Sequence, residues 1–188
     1  MIVIKEKDAV YFARPITDLR CYSEYNIDYS FEENGNIWHL NDEYGTIVMA
    51  DTNNSRFVDL LRYSDVFECE FSEEGMHQIV ANIKDLVEGT NCFIADGMIG
   101  VNLFVARGNK VYKITTYGAV SVIDSFACVA EREEKMLAIY ERCKSIPDIH
   151  QRIKEVYDKY KKKVKYFRCF DIAVISTKDK SYSLLTKK

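Results

Sequence analysis

The sequence predicts an α+β fold, a four-layer αββα sandwich in which two antiparallel sheets lie between two helix pairs. The first observation is the order of elements: strand-like runs form three blocks, and two helix-like segments separate each block from the next. The second is that strands and helices do not alternate singly, which argues against a doubly wound parallel sheet. The third is composition. The 188 residues are 47% hydrophobic with a formal net charge of -3, which is typical of one globular domain over residues 1–188 and excludes a disordered chain.

The first block of strands opens the chain. Two runs rich in β-branched and aromatic residues, 1–5 and 9–13, flank a compact polar turn and predict a hairpin. A further strand is expected near residues 25–31, and Asn34-Gly35 is a strong hairpin signal. Two more strands complete the block, at residues 36–40 and 46–50.

The first helix pair follows. One helix is predicted to begin after a cap at Asn53 or Asn54 and to end near Tyr63. Ser72 is expected to cap a second helix that ends at Gly89, with acidic residues in the first turn, where the helix dipole favours negative charge. The apolar residues of this second helix recur at helical spacing and form one face, which consists of Met76, Ile79, Val80, Ile83 and Val87.

The second block of strands and the second helix pair complete the pattern. The apolar runs of this block are residues 91–95, 99–106, 110–115, 120–123 and 126–129. Two helices are predicted over residues 131–143 and 148–164, with Pro147 at the first helical position of the second. The chain then returns to strands at residues 169–176 and 182–185.

Composition and motifs exclude several classes of function. No stretch approaches the roughly 20 apolar residues of a transmembrane helix, and the charges directly after residue 4 do not suit a signal peptide. We therefore expect a cytoplasmic protein with no membrane partner. The six cysteines are scattered without a C-x-x-C pair, so we expect small buried side chains and no metal site. We expect no cofactor, because no P-loop, G-x-G-x-x-G or G-x-S-x-G motif occurs.

The only basic run lies near the end of the last helix, at Lys159, Lys161, Lys162, Lys163 and Lys165. Cations suit a helix C-terminus, so a solvated helix end explains this run. The sequence pI of about 5.7 argues against nucleic acid as the main partner.

Five segments carry a resemblance to a known family. They are residues 7–13, 36–50, 109–120, 126–130 and 170–175. In their order and spacing they resemble the proteasome β-subunits and the HslV-type peptidases, which belong to the Ntn-hydrolase family. The resemblance implies the four-layer fold, and it implies a first residue of Thr, Ser or Cys whose own α-amine acts as the base. It also implies self-association through helical faces.

The residues at the catalytic positions of that family depart from its pattern. Met1 offers no hydroxyl or thiol, and the bulky residue after it ordinarily keeps an initiator methionine in place. Pro15 stands where the family has Asp, and Ser30 is nearest to the position of its Lys. The Ala-Gly of its oxyanion turn appears here as Ala50-Asp51, which places a negative side chain at that position. We expect these five residues to meet at one end of the stacked sheets as a vestigial cleft.

Two functions stay open at this point. The first is a non-catalytic, proteasome-subunit-like protein that acts by assembly or binding, with any small ligand of the cleft unknown. The alternative is a peptidase or amidase with an internal nucleophile, for which Thr17, Cys21 and Ser23 follow the second predicted strand. The plainer interpretation of these three residues is a polar loop.

Overall fold

The computed structural model describes residues 1–16, 37–40, 42–51, 55–90, 97–164, 171–178 and 182–185. In these ranges the strands are β1 (Ile2–Lys5), β2 (Val10–Ile16), β3 (Ile37–His39), β4 (Ile47–Asp51), β5 (Asn102–Arg107), β6 (Lys110–Ile114), β7 (Val120–Val122), β8 (Phe126–Cys128), β9 (Asp171–Ser176) and β10 (Tyr182–Leu185). The helices are α1 (Ser55–Arg62), a 3₁₀ helix (Asp65–Phe67), α2 (Glu73–Glu88), α3 (Glu133–Cys143) and α4 (Ile149–Lys163). The strand predicted near residues 25–31, the Asn34-Gly35 turn and the run at 91–95 lie outside the described residues.

The described strands form two five-stranded sheets in which neighbouring strands run antiparallel. Sheet A has the order β10-β9-β2-β1-β8, and sheet B has the order β3-β4-β5-β6-β7. In sheet A, Ile2 of β1 pairs with Ala13 of β2 and with Cys128 of β8. Sheet B is thus built from consecutive strands, whereas sheet A joins the first strands of the chain to the last.

Three apolar cores separate the four layers of the sandwich. Side chains of β1 alternate between two of these cores. Ile2 and Ile4 pack against α3 and α4, whereas Val3 lies in the core between the two sheets. That central core also contains Phe12 of β2 and Phe104 of β5. The third core lies between sheet B and helices α1 and α2. The predicted αββα sandwich is therefore confirmed, with one helix pair on each outer face.

The apolar face predicted for the second helix is largely confirmed, because helical spacing decides which residues share a face. Helix α2 buries four of the five predicted residues, which are Met76, Ile79, Val80 and Ile83. Helix α3 likewise buries one face, which consists of Met136, Ile139, Tyr140 and Cys143. The predicted cap of α2 is present as well, since the Ser72 hydroxyl accepts the N–H of Gly75 at 3.1 Å.

The predicted start of the last helix is wrong. Helix α4 begins at Ile149, and Pro147 is not its first residue but precedes its cap. The reason is the side chain of Asp148, whose carboxylate accepts the N–H of Gln151 at 2.6 Å and so caps the helix one residue later.

Two other boundaries and one additional element differ from the sequence pattern. Strand β5 begins at Asn102, three residues later than predicted, because the chain turns at Gly100 with a φ of 72°. Helix α3 begins at Glu133, two residues later than predicted. The pattern does not predict the 3₁₀ helix, which buries Val66 and Phe67 between α1 and α2.

Contacts between turns close one end of the sandwich. The Asn109 side chain donates to the Lys7 carbonyl at 3.2 Å, and the Thr177 hydroxyl donates to the Gly108 carbonyl at 2.6 Å. The hairpins β1–β2 and β5–β6 both turn at this end. The start of β1 and the end of β4 therefore lie at the opposite end.

Candidate functional site

The candidate site lies at the end of the sandwich where β1 begins. Met1 extends the pairing of β1 with β8, since its nitrogen donates to the Val129 carbonyl at 2.7 Å and its carbonyl accepts the Val129 N–H at 3.0 Å. The Met1 side chain lies in the core between the sheets and is 9% exposed. The backbone of residue 1 is thus bonded as in a strand interior, and its side chain serves packing.

Charged side chains from three other elements act on the Met1 α-amine. They are Arg14 from β2, Asp51 from β4 and Glu133 from α3. Burial is the largest influence and lowers the pKa of the amine, whereas the Asp51 carboxylate favours the protonated form and opposes that shift. Burial also lowers the pKa of Arg14, and Asp51 again opposes the shift. The Asp51 carboxylate therefore stabilises the positive charge of both the Met1 amine and the Arg14 guanidinium.

A lysine from sheet B reaches the same end of the site. Lys113 Nζ donates to the Cys128 carbonyl at 3.0 Å and lies 3.5 Å from both carboxylate oxygens of Glu133. Its side chain is 17% exposed, and its ammonium lies 5.9 Å from the centre of the Phe104 ring. Because β6 belongs to sheet B and β8 to sheet A, these contacts link the two sheets beside residue 1.

The thiol of Cys128 is a poor nucleophile in this setting. Burial and the nearby Glu133 carboxylate raise its pKa to about 11, with Lys113 opposing the shift. A thiolate is the reactive form of cysteine, so a thiol with this pKa stays protonated and unreactive at neutral pH. The charge pattern around Met1 therefore does not activate the Cys128 thiol.

Three of the predicted cleft residues fall at this end of the sandwich. The pairing of Ile2 with Ala13 brings Met1 opposite Arg14, and Pro15 follows directly in β2, where it pairs with Ile172 of β9. Asp51 ends β4 and acts on the charge of the Met1 amine.

Ala50 has a different environment. Ala50 and Asp51 are the last two residues of β4 rather than a turn, and they pair with Leu103 and Asn102. Because neighbouring strand residues point to opposite faces, Ala50 is buried in the core that faces α1 and α2. Ser30 lies outside the described residues.

Sequence reasoning missed the cations of this site. The family resemblance places a lysine near Ser30, whereas Lys113 enters from β6. The resemblance points to Pro15 rather than to its neighbour Arg14, although the hairpin register places Arg14 opposite Met1. The sequence did not predict a role for Glu133, because acidic residues are common in the first turn of any helix.

The sequence also offered three internal candidate nucleophiles. Thr17, Cys21 and Ser23 lie outside the described residues. Of the described cysteines, Cys69 is half-buried with a pKa raised by burial, and Cys143 is buried in the helix-side core of sheet A.

Two further findings concern metals and membranes. Within the described ranges, no three His, Cys, Asp or Glu side chains are grouped so that they could hold a metal ion. None of the helices in the described part of the chain has both the length and the apolar character needed to cross a bilayer.

The structure is a four-layer αββα sandwich in which residue 1 lies at one end of the core between the sheets. The structure is similar to that of BPH from Thiobacillus denitrificans, with a TM-score of 0.67 and 9% sequence identity over 93% of this chain and 95% of that chain. It is also similar to the same protein in complex with epoxomicin, with a TM-score of 0.69 and 8% identity over 93% of this chain and 96% of that chain. No family model matches the sequence, and no curated protein matches it. At this level of identity, the similarity concerns the fold.

Proposed function

We propose that this chain is a proteasome-subunit-like protein that acts by assembly or binding and does not hydrolyse peptides. The observation that supports the proposal most is the residue at the start of β1. An Ntn hydrolase needs a hydroxyl or thiol there, and Met1 instead places a thioether in the core between the sheets.

The α-amine of Met1 supports the same proposal. In the Ntn mechanism this amine must accept a proton from the adjacent nucleophile. Here it is engaged as a donor to the Val129 carbonyl, and the neighbouring thiol of Cys128 has a pKa of about 11. The site therefore offers neither a nucleophile on residue 1 nor an activated sulfur beside it.

Hydrolysis assays test the absence of activity. We expect no turnover of a broad panel of fluorogenic peptides, amides and esters, and no mass increase after incubation with epoxomicin. BPH from Thiobacillus denitrificans is the matched control, since it forms a complex with epoxomicin. Turnover that is abolished by Cys21→Ala would overturn the proposal in favour of a hydrolase with an internal nucleophile.

Assembly through helical faces, in the cytoplasm, is the second half of the proposal. Leu137 is an apolar residue on the outer surface of α3 and is 47% exposed. Leu184 on β10 is 49% exposed and provides a control of the same size and exposure away from the helices. If helical faces mediate self-association, Leu137→Glu should shift the sedimentation profile to monomer and Leu184→Glu should not. A wild-type chain that stays monomeric at high micromolar concentration contradicts the assembly proposal.

A further inference from the structure

The two outer helical layers of the sandwich differ in charge. The layer on sheet B, residues 55–90 with α1 and α2, contains eight acidic and three basic residues and is the acidic layer. The layer on sheet A, residues 131–164 with α3 and α4, contains ten basic and seven acidic residues and is the basic layer. Because these layers cover opposite sides of the stacked sheets, charge is separated across the thickness of the sandwich.

The carboxylates of the acidic layer are exposed and unpaired. None of the eight forms an ion pair in the described part of the chain, and they are Asp59, Asp65, Glu68, Glu70, Glu73, Glu74, Asp85 and Glu88. The helix dipole accounts for Glu73 and Glu74, which lie in the first turn of α2. It does not account for Asp85 and Glu88, because they lie in the last turn, where negative charge is unfavourable and no basic residue accompanies them. The acidic layer thus presents negative charge that no ion pair offsets.

In the basic layer, part of the negative charge is neutralised by the chain itself. Three of its seven carboxylates form ion pairs with lysines, and these are Glu133, Glu141 and Glu155. Six of its cations form no ion pair with any described residue, and these are Arg132, Lys135, Arg142, Lys154, Lys162 and Lys163. The unpaired charge of this layer is therefore mainly positive.

We propose that the acidic layer of one copy binds the basic layer of a second copy of this chain, so that copies stack helix layer on helix layer. Charge complementarity supports this occupant, since each layer supplies the charge that the other lacks. The contact joins two different surfaces and is therefore heterologous. The inference rests on the assembly proposed above and names the two surfaces that form it.

Stacking of this kind does not end at a dimer. Since the two layers lie on opposite sides of each copy, two stacked copies still present one free acidic layer and one free basic layer. A heterologous contact that does not close into a ring continues to add copies. The mean size of the assembly should therefore grow with concentration, and salt should weaken the contact, because exposed charges are screened.

Two charge-reversal variants test the layers separately. The acidic-layer variant combines Asp85→Lys with Glu88→Lys, which places cations in the last turn of α2. The basic-layer variant combines Arg132→Glu with Lys135→Glu, which places carboxylates at the start of α3. Both reversals suit the helix dipole, so we expect both variants to fold.

Sedimentation velocity of the full chain over a concentration series, at about 50 mM and about 500 mM salt, measures the association. The matched control combines Lys7→Glu with Lys178→Glu, which changes the net charge as the basic-layer variant does, but in exposed turns outside both layers. At low salt the wild type and the control should form species larger than a dimer, and each layer variant alone should associate at least about tenfold more weakly. An equimolar mixture of the two layer variants should form a dimer and nothing larger, because only one acidic and one basic layer remain intact in each pair.

The outcomes separate this inference from the assembly proposal. Association that persists in the acidic-layer variant and is lost in the basic-layer variant indicates contact between like layers; it overturns the inference and leaves assembly in place. Association that neither reversal nor salt weakens has the same consequence, as does equal weakening in the Lys7 and Lys178 control. A wild type that stays monomeric at low salt and high micromolar concentration overturns the assembly proposal and this inference with it.

Discussion

Replacement of Gly75 by alanine should destabilise the chain strongly, because backbone fills the space that a side chain would need. Gly75 lies in the first turn of α2, where its N–H binds the Ser72 hydroxyl and its carbonyl accepts the Cys69 thiol at 3.3 Å. A Cβ built on Gly75 would stand 1.8 Å from the carbonyl oxygen of Glu70. The loop before α2 therefore approaches the helix more closely than any other residue type at this position would allow.

The structure sets the size of the effect. Ordinary contact begins at 3.4 Å, so the new carbon and the Glu70 oxygen must move apart by about 1.6 Å. Overpacking costs about 1–3 kcal/mol, and backbone yields less than the end of a side chain. Displacement of the loop also weakens the Ser72 cap, which is worth about 1 kcal/mol. We expect a loss of about 3–4 kcal/mol in the free energy of unfolding, and a fall in Tm of roughly 10 °C for a chain of this size.

Urea unfolding followed by far-UV circular dichroism measures this loss, and Gly89→Ala provides the control. Gly89 follows the same helix in a right-handed conformation, with φ -75° and ψ -7°, and its added Cβ would lie 3.4 Å from the Asp85 oxygen. Alanine is compatible with that geometry and restricts the unfolded chain, so Gly89→Ala should stabilise by up to about 1 kcal/mol. A Gly75→Ala variant as stable as the wild type would refute the reasoning, since it would mean that the loop does not approach the helix in this way.

Two further predictions concern buried polar groups. Because the pKa of Cys128 is about 11 in the fold against 9.0 for the ordinary thiol, the unfolded chain loses this proton first. The contribution of this group to the free energy of unfolding is therefore complete below pH 9 and falls by about 2 kcal/mol between pH 9 and 11. Urea unfolding midpoints measured across this range should fall in the wild type and should change less in Cys128→Ala. The Tyr157 hydroxyl donates to the Ala13 carbonyl at 2.8 Å in the core, so Tyr157→Phe should lower the free energy of unfolding by about 1–2 kcal/mol. Tyr63→Phe, at a side chain that is 80% exposed, should leave thermal melts unchanged, and equal effects of the two substitutions would contradict the assignment of that bond.

The layer order could be predicted because it depends on periodicity, which is a local property of the sequence. The spacing of Met76, Ile79 and Ile83 leaves a helix only one face to bury, and that face is buried in the structure. Element ends were harder to predict, because single side chains decide them. The Asp148 carboxylate, which caps the helix, sets the start of α4 after Pro147.

The composition of the candidate site could be predicted only in part, because its residues meet through pairing between distant strands. Lys113 and Glu133 are 20 residues apart in sequence, and no local pattern connects them. Their contact requires that β6 and β8 lie in different sheets that face each other at this end. The sequence does show which side chains are absent, since the lack of a hydroxyl or thiol at residue 1 needs no structure.

The geometry of residue 1 explains how this fold accommodates a methionine at the start of β1. Alternation along β1 directs the Met1 and Val3 side chains into the core between the sheets, whereas Ile2 faces α3 and α4. A side chain that points into that core at the end of the sheets can either remain available for chemistry or fill space. A methionine thioether fills space and contributes apolar burial, and the hydrogen bonds of Met1 with Val129 complete the edge of sheet A. Among the described residues, the Met1 side chain thus packs in the core between the sheets, while its backbone extends the pairing of β1 with β8.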